Sequence, residues 1–85
     1  MNCVDIIGIL REVVDEHTRY FEYETPFEQD NNDVPSKIIV RYWTKQPNNR
    51  LIVLEKNTRV AIHGHLEMDK KFGTILLVEQ LEVLR

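Results

Sequence analysis

Apolar and polar positions alternate along most of this chain, and the alternation breaks at a few identifiable points. Residues 3–14, CVDIIGILREVV, are β-branched and apolar around Gly8 and predict a strand kinked or bulged at that glycine. DEHT, 15–18, reads as a turn. RYFEYET, 19–25, is aromatic and alternating. It predicts a strand with Phe21 and Tyr23 on one face and Tyr20, Glu22 and Glu24 on the other. PFEQDNNDVPS, 26–36, is a polar loop bounded by prolines.

KIIVRYWTK, 37–45, predicts a third strand. Successive side chains of a strand point to opposite faces. Ile38, Val40, Tyr42 and Thr44 therefore share one face, and Lys37, Ile39, Arg41, Trp43 and Lys45 share the other. After the QPNN break, Asn48 or Asn49 is placed to cap a short helix over RLIVLEK, and Asn57 to end it in the left-handed conformation. The β-branched content leaves a strand there as an alternative. TRVAIHGHLEM, 58–68, alternates, with Val60 and Ile62 facing one way, Ala61, His63 and His65 the other, and Gly64 breaking the pattern. DKKFG is a turn. In TILLVEQLEVL, 74–84, the apolar phase slips between Val78 and Leu81. Either a bulge in a strand or a helix carrying Leu77, Leu81 and Leu84 on one face accounts for the slip. Five short strands, one intervening short segment and no internal repeat predict an all-β domain, a small barrel, over residues 1–85.

With 85 residues and 42% hydrophobic content, one thin-cored domain is expected, for which a homodimer or higher homo-oligomer would bury more surface. A lone Cys3 excludes an internal disulfide and fits a reducing, cytoplasmic setting. MNCVDIIGIL has no cationic leader of the secretory kind, and no apolar run approaches the length of a membrane span. The net charge of −3 is unevenly spread. Residues 1–36 hold nine acidic and two basic side chains, and residues 37–85 hold five acidic and nine basic. Such asymmetry points to two surfaces with different partners, or to charges that balance across a compact fold.

The order of motifs resembles a known family. MNCVDIIGIL is similar to the opening strand of bacterial single-stranded DNA-binding proteins, where Met-Asn, an apolar run and Ile-Gly-x-Leu recur. YWTKQ resembles that family's third strand, and TRVAIHGHLE its fourth, with 21 residues from Trp43 to Gly64. VEQLEVL looks like the last strand of primosomal replication protein B, a close relative. The resemblance implies an OB-fold: a five-stranded barrel with one short helix that binds oligonucleotides on strands two and three and on the loops joining strands one–two and four–five. It implies a base-stacking role for Trp43, a phosphate-side role for Lys45 and structural roles for Gly8 and Gly64. The chain departs from the family at Ile9, where arginine is usual, in the short DKKFG loop, and in stopping at Arg85 without a long acidic-tipped tail.

The candidate chemistry is that of single-strand binding, which needs flat aromatic rings in a cationic groove. Lys37, Arg41, Trp43 and Lys45 supply both on one strand face. Tyr20 adds a ring, Lys70, Lys71 and Phe72 could close from the last hairpin, and Arg59, His63 and His65 add donors if their face is exposed. Single-stranded DNA is the expected partner, in an accessory role in replication, recombination or primosome assembly, with a replication protein as a further partner. Glu22, Glu24 and the acidic REVVDEH stretch oppose phosphate. They motivate the alternative: an OB-fold module that binds protein through Ile39 and Trp43. His63 and His65, joined by His17, are a weak metal pattern without a third ligand at recognisable spacing. No cofactor is expected. No phosphate loop, nucleophile motif or paired carboxylates in a plausible cleft are present, so no catalysis is expected.

Overall fold

The computed structural model describes residues 3–23, 37–44 and 49–84. Among the described residues there are five strands and one helical turn: β1 (Val4–Val13), β2 (Thr18–Tyr23), β3 (Lys37–Arg41), α1 (Arg50–Val53), β4 (Arg59–Asp69) and β5 (Gly73–Val83). They close a barrel in the order β1-β2-β3-β5-β4, antiparallel except for the β3–β5 pair. The barrel closes because β1 has two partners. It pairs with β4 from Val4 to Ile9 and with β2 from Gly8 onward. At Gly8 both neighbours meet the strand, and a Cβ there would lie 2.3 Å from the Glu22 carbonyl oxygen. Gly8 is thus a site of close approach. The irregularity expected at Gly8 lies further on, between Leu10 and Val13.

The inward residues follow the predicted alternation. Leu10, Phe21, Val40, Val60, Ile62, Leu76 and Val78 fill the barrel, and Leu51 of α1 joins them. Each such side chain contributes about 1.5–3 kcal/mol by leaving water. The phase slip in the last segment is a bulge in a strand. His63 pairs with Gln80 and Gly64 with Val78, so Glu79 is the extra residue. That single insertion brings Leu81 and Val83 back to the core side after Leu76 and Val78.

Residues 50–53 are helical, not extended. The Asn49 side chain caps the turn by accepting from the Leu51 amide at 2.9 Å, and it donates to the Tyr42 carbonyl at 2.9 Å. The helix ends at Val53, earlier than expected. Asn57 does take a positive φ of 75°, but in the turn that leads into β4. β3 is also shorter than the predicted 37–45. It ends at Arg41, so Trp43 lies beyond the strand, and Lys45 is outside the described residues.

One buried charge shares the inward phase of Phe21 and Tyr23, but its partners had no signal in the pattern. Arg19, on the inward face of β2 with Phe21, is only 2% exposed. Its Nε donates to the Arg11 carbonyl at 2.6 Å, and its Nη1 to the Leu51 and Leu54 carbonyls at 2.8 and 2.6 Å. The guanidinium therefore takes up carbonyls that a four-residue helix leaves open at its C-terminal end. Among the described residues, no helix is long and apolar enough to cross a membrane.

Candidate nucleic-acid interface

The outer face of β2 and β3 carries the residues that alternation placed there. Tyr20 lies directly opposite Ile39, and Lys37 opposite Glu22. Tyr20 is partly exposed. With Lys37, Ile39, Phe72 and Thr74 it lines a shallow cleft of about 170 Å³. Ile39 is 7% exposed, so it forms the floor of this surface and does not project as an interface anchor.

Arg41 joins the strand face to the β4–β5 hairpin. Its Nη1 donates to Asp69 Oδ1 at 2.8 Å and its Nε to Thr18 Oγ1 at 3.0 Å. Its guanidinium carbon lies 5.6 Å from the Trp43 ring centroid and 6.0 Å from that of Phe72. Asp69 shapes the hairpin turn as well, its Oδ2 accepting from the amides of Lys71 and Phe72 at 2.9 and 3.0 Å. The Arg41 hydrogen bond, followed by the two amides, holds the Asp69 carboxyl below its ordinary range. Lys71 Nζ sits 5.4 Å from the Phe72 centroid. Trp43 is 62% exposed, leaving ring surface open to solvent.

Of the residues singled out from sequence, Tyr20, Lys37, Arg41, Trp43, Lys71 and Phe72 come together on this surface. Lys70 is exposed in the same turn. Arg59 does not join them. It begins β4 beside Ile9, at the opposite end of the strand from Asp69, roughly 30 Å away along the strand rise. His17 belongs to the surface and was weighed from sequence only as a metal ligand. Its ring lies 4.8 Å from that of Trp43, tilted by 48°. The position of DEHT in the first inter-strand loop was the signal that could have found it.

Three of the acidic residues that opposed this surface have partners of their own, although Glu22 stays on the face, opposite Lys37, and Glu24 lies outside the described residues. Glu22 is 3.7 Å from Arg11. Glu12 pairs with Lys56 at 2.7 Å, which, with its own backbone amide, pulls its carboxyl down to about 2. Asp15 accepts from the His17 amide at 2.9 Å, and that bond lowers its pKa.

His63 and His65 lie on the outer face of β4, in a line of alternating carboxylates and imidazoles. Asp5 meets His63 at 2.6 Å, Glu79 meets His65 Nδ1 at 2.7 Å, and Glu67 meets His65 Nε2 at 2.9 Å. Among the described residues, no group of three or more His, Cys, Asp or Glu is arranged to hold a metal ion. Ionised carboxylates only accept hydrogen bonds, so both ring nitrogens of His65 must donate. The bonds to Glu67 and then Glu79 accordingly raise its pKa. A raised histidine pKa gives stability that is fully present below about 6.5, the unfolded value, and lost as pH rises through the folded value. In urea melts between pH 6 and 8.5, the wild type should therefore lose more midpoint than His65→Gln. Parallel pH dependences in the two proteins would rule out a charged bridge.

A closed five-stranded barrel of this strand order, with a short helix between β3 and β4, is an OB-fold, as the sequence resemblance implied. No family model and no curated protein matches the chain. Among solved structures, it is similar to a chain of a replication protein A heterotrimer bound to single-stranded DNA, with a TM-score of 0.63 and 13% identity. The alignment covers all of this chain and 59% of that one. At this identity the likeness is one of fold.

Proposed function

We propose that this protein binds single-stranded nucleic acid, with single-stranded DNA as its ligand. It would stack bases on Trp43, Phe72 and Tyr20 and neutralise phosphates with Lys37, Lys70, Lys71 and Lys45. The observation that carries this reading is the gathering of three partly exposed rings and several lysines on β2, β3, the segment just after β3 and the β4–β5 hairpin. OB-folds bind oligonucleotides on the strand 2–3 face and the loops that flank it. The solved OB-fold neighbour bound to single-stranded DNA supports the same reading. In the cell, the role would be an accessory one in replication, recombination or primosome assembly, carried out in the cytoplasm by a homodimer or larger homo-oligomer, in the manner of the bacterial single-stranded DNA-binding and primosomal protein B family.

The test uses the single tryptophan. Titration with oligo-dT at low salt should quench Trp43 fluorescence, and added salt should reverse it, because phosphate contacts release counterions. Each stacked base is worth about 1–3 kcal/mol, so Trp43→Ala should weaken binding of a labelled oligo-dT, followed by anisotropy, about tenfold or more. The exposed position of Trp43 predicts an unchanged fold in that variant. Equal binding by folded Trp43→Ala would remove this surface as the site.

A protein-binding module is the second reading. It is favoured by the cancellation of the Arg41 charge by Asp69 beside an exposed tryptophan, a residue type enriched among interface anchors. A flat titration at low salt, together with partners recovered from nuclease-treated extract that are lost in Trp43→Ala, would decide for it.

A further inference from the structure

We propose that Arg41 is not a phosphate-binding cation of this surface but the residue that positions its aromatic rings, with Asp69 as its fixed partner. The inference rests on the nucleic-acid reading above and assigns different roles to cations that sequence pattern treats alike. The Arg41 and Asp69 side chains are only 15% and 19% exposed, against the open placement of Lys37, Lys70 and Lys71. Two sides of the guanidinium are already occupied, by Asp69 Oδ1 and Thr18 Oγ1. A phosphate would have to compete with the Asp69 carboxylate already bonded to it.

Nor can that carboxylate easily swing away. Its second oxygen holds the Lys71 and Phe72 amides, so releasing Arg41 would strain the turn that aims Phe72. The pair thus ties the start of β2, the end of β3 and the tip of the β4–β5 hairpin to one point, with Trp43 and Phe72 both about 6 Å from it. A planar, forked cation suits this task, because it can bond edge-on while its faces stay available to rings. Phosphate neutralisation then falls to the exposed lysines.

The dependence of oligo-dT affinity on salt separates the two roles. Each phosphate contact on a single strand contributes about 0.7 to the slope of log K against log salt. Lys37→Gln should lower the slope by about that amount. The charge-neutral double variant Arg41→Gln/Asp69→Asn should leave the slope unchanged while weakening binding roughly three- to tenfold at every salt concentration, as the rings lose their common support. A slope lowered by about 0.7 in the double variant would overturn the proposal. If the double variant does not fold, Arg41→Lys decides. A positioning role predicts weaker binding at an unchanged slope, since the ammonium lacks the fork, whereas retained affinity would show a simple charge contact.

A wild-type chain that binds neither oligo-dT nor oligo-rU defeats the functional reading itself. The pair is then judged in the free protein by NMR. The Arg41 Nη1 protons should be protected from exchange in the wild type, where Asp69 Oδ1 accepts from them, and exposed in Asp69→Asn. Rapid exchange in the wild type overturns the positioning role.

Discussion

Arg19→Met is expected to cost about 3 kcal/mol or more, although it puts an apolar side chain of similar length where the surroundings are largely apolar. The loss comes from what the guanidinium leaves behind. The Arg11, Leu51 and Leu54 carbonyls each accept one of its hydrogen bonds at 2.6–2.8 Å. A buried acceptor left without a partner costs about 1–3 kcal/mol, and hydrogen bonds to charged donors lie at the strong end. A domain of this size has about 4–13 kcal/mol of total stability, so the variant should lose a large share of it. Burial lowers the Arg19 pKa, but a guanidinium stays charged at any working pH. Urea melts with an unchanged slope and a lowered midpoint would show this as a stability effect. Arg19→Lys should recover little, because one ammonium cannot reach both the β1 carbonyl and the end of α1. A midpoint within error of wild type for Arg19→Met would mean that water replaces the guanidinium without penalty.

Gly64→Ala should be comparably severe, for a steric reason. A Cβ at Gly64 would lie 1.9 Å from the Leu77 carbonyl oxygen and 2.9 Å from its carbon. These are backbone atoms of the paired strand β5, so no rotamer change relieves the contact. The position sits beside the Glu79 bulge, where the β4–β5 register shifts by one residue. To admit the methyl, β4 and β5 must separate or the bulge must move, and moving it would turn Leu81 and Val83 away from the core. Overpacking of well-packed sites costs typically 1–3 kcal/mol and more when backbone must shift, so about 3 kcal/mol or more is expected. The measurement is again the urea midpoint, read with tryptophan fluorescence. A near-neutral Gly64→Ala would mean that the strand pair yields more freely than its ladder implies.

Both residues show how legibility in the sequence divides. The strands were legible because a half-buried strand writes its geometry as period two, and β2, β3 and β4 kept the predicted faces. The slip after Val78 was legible as a break in phase, but a bulge and a helix produce the same local pattern. Only the pairing of Gly64 with Val78 and of His63 with Gln80 distinguishes them. The end of β3 was not legible, because Tyr42 and Trp43 continue the alternation after the ladder has stopped. Arg19 is in phase with Phe21 and so falls on the inward face by alternation, but no local rule signals that a helix end from residues 51–54 will lie above it to accept its hydrogen bonds.

The candidate surface divides in the same way. Tyr20, Lys37, Arg41 and Trp43 shared a face by alternation, and Phe72 and Lys71 were placed near them by analogy with a hairpin that closes over a strand. What alternation could not supply was pairing across the sheet. Alternation leaves Asp69 in a turn, His17 among the metal candidates, and Glu22 and Glu12 among the acids that oppose phosphate. In the structure each has a partner far away in the chain: Arg41, Trp43, Arg11 and Lys56 respectively.

By itself, the sequence determined the existence of most strands, the inward faces of β2, β3 and β4, the barrel class and the concentration of rings and cations on one face. These follow from side-chain periodicity and from the cost of leaving apolar groups in water, both local properties. The tertiary structure alone decided which charges remain open to a ligand. Arg41 and the exposed lysines are the same kind of letter in the chain, and they differ because barrel closure brings Asp69 to Arg41. Electrostatic partnership depends on distance in space, and in a barrel that distance is set by register and closure.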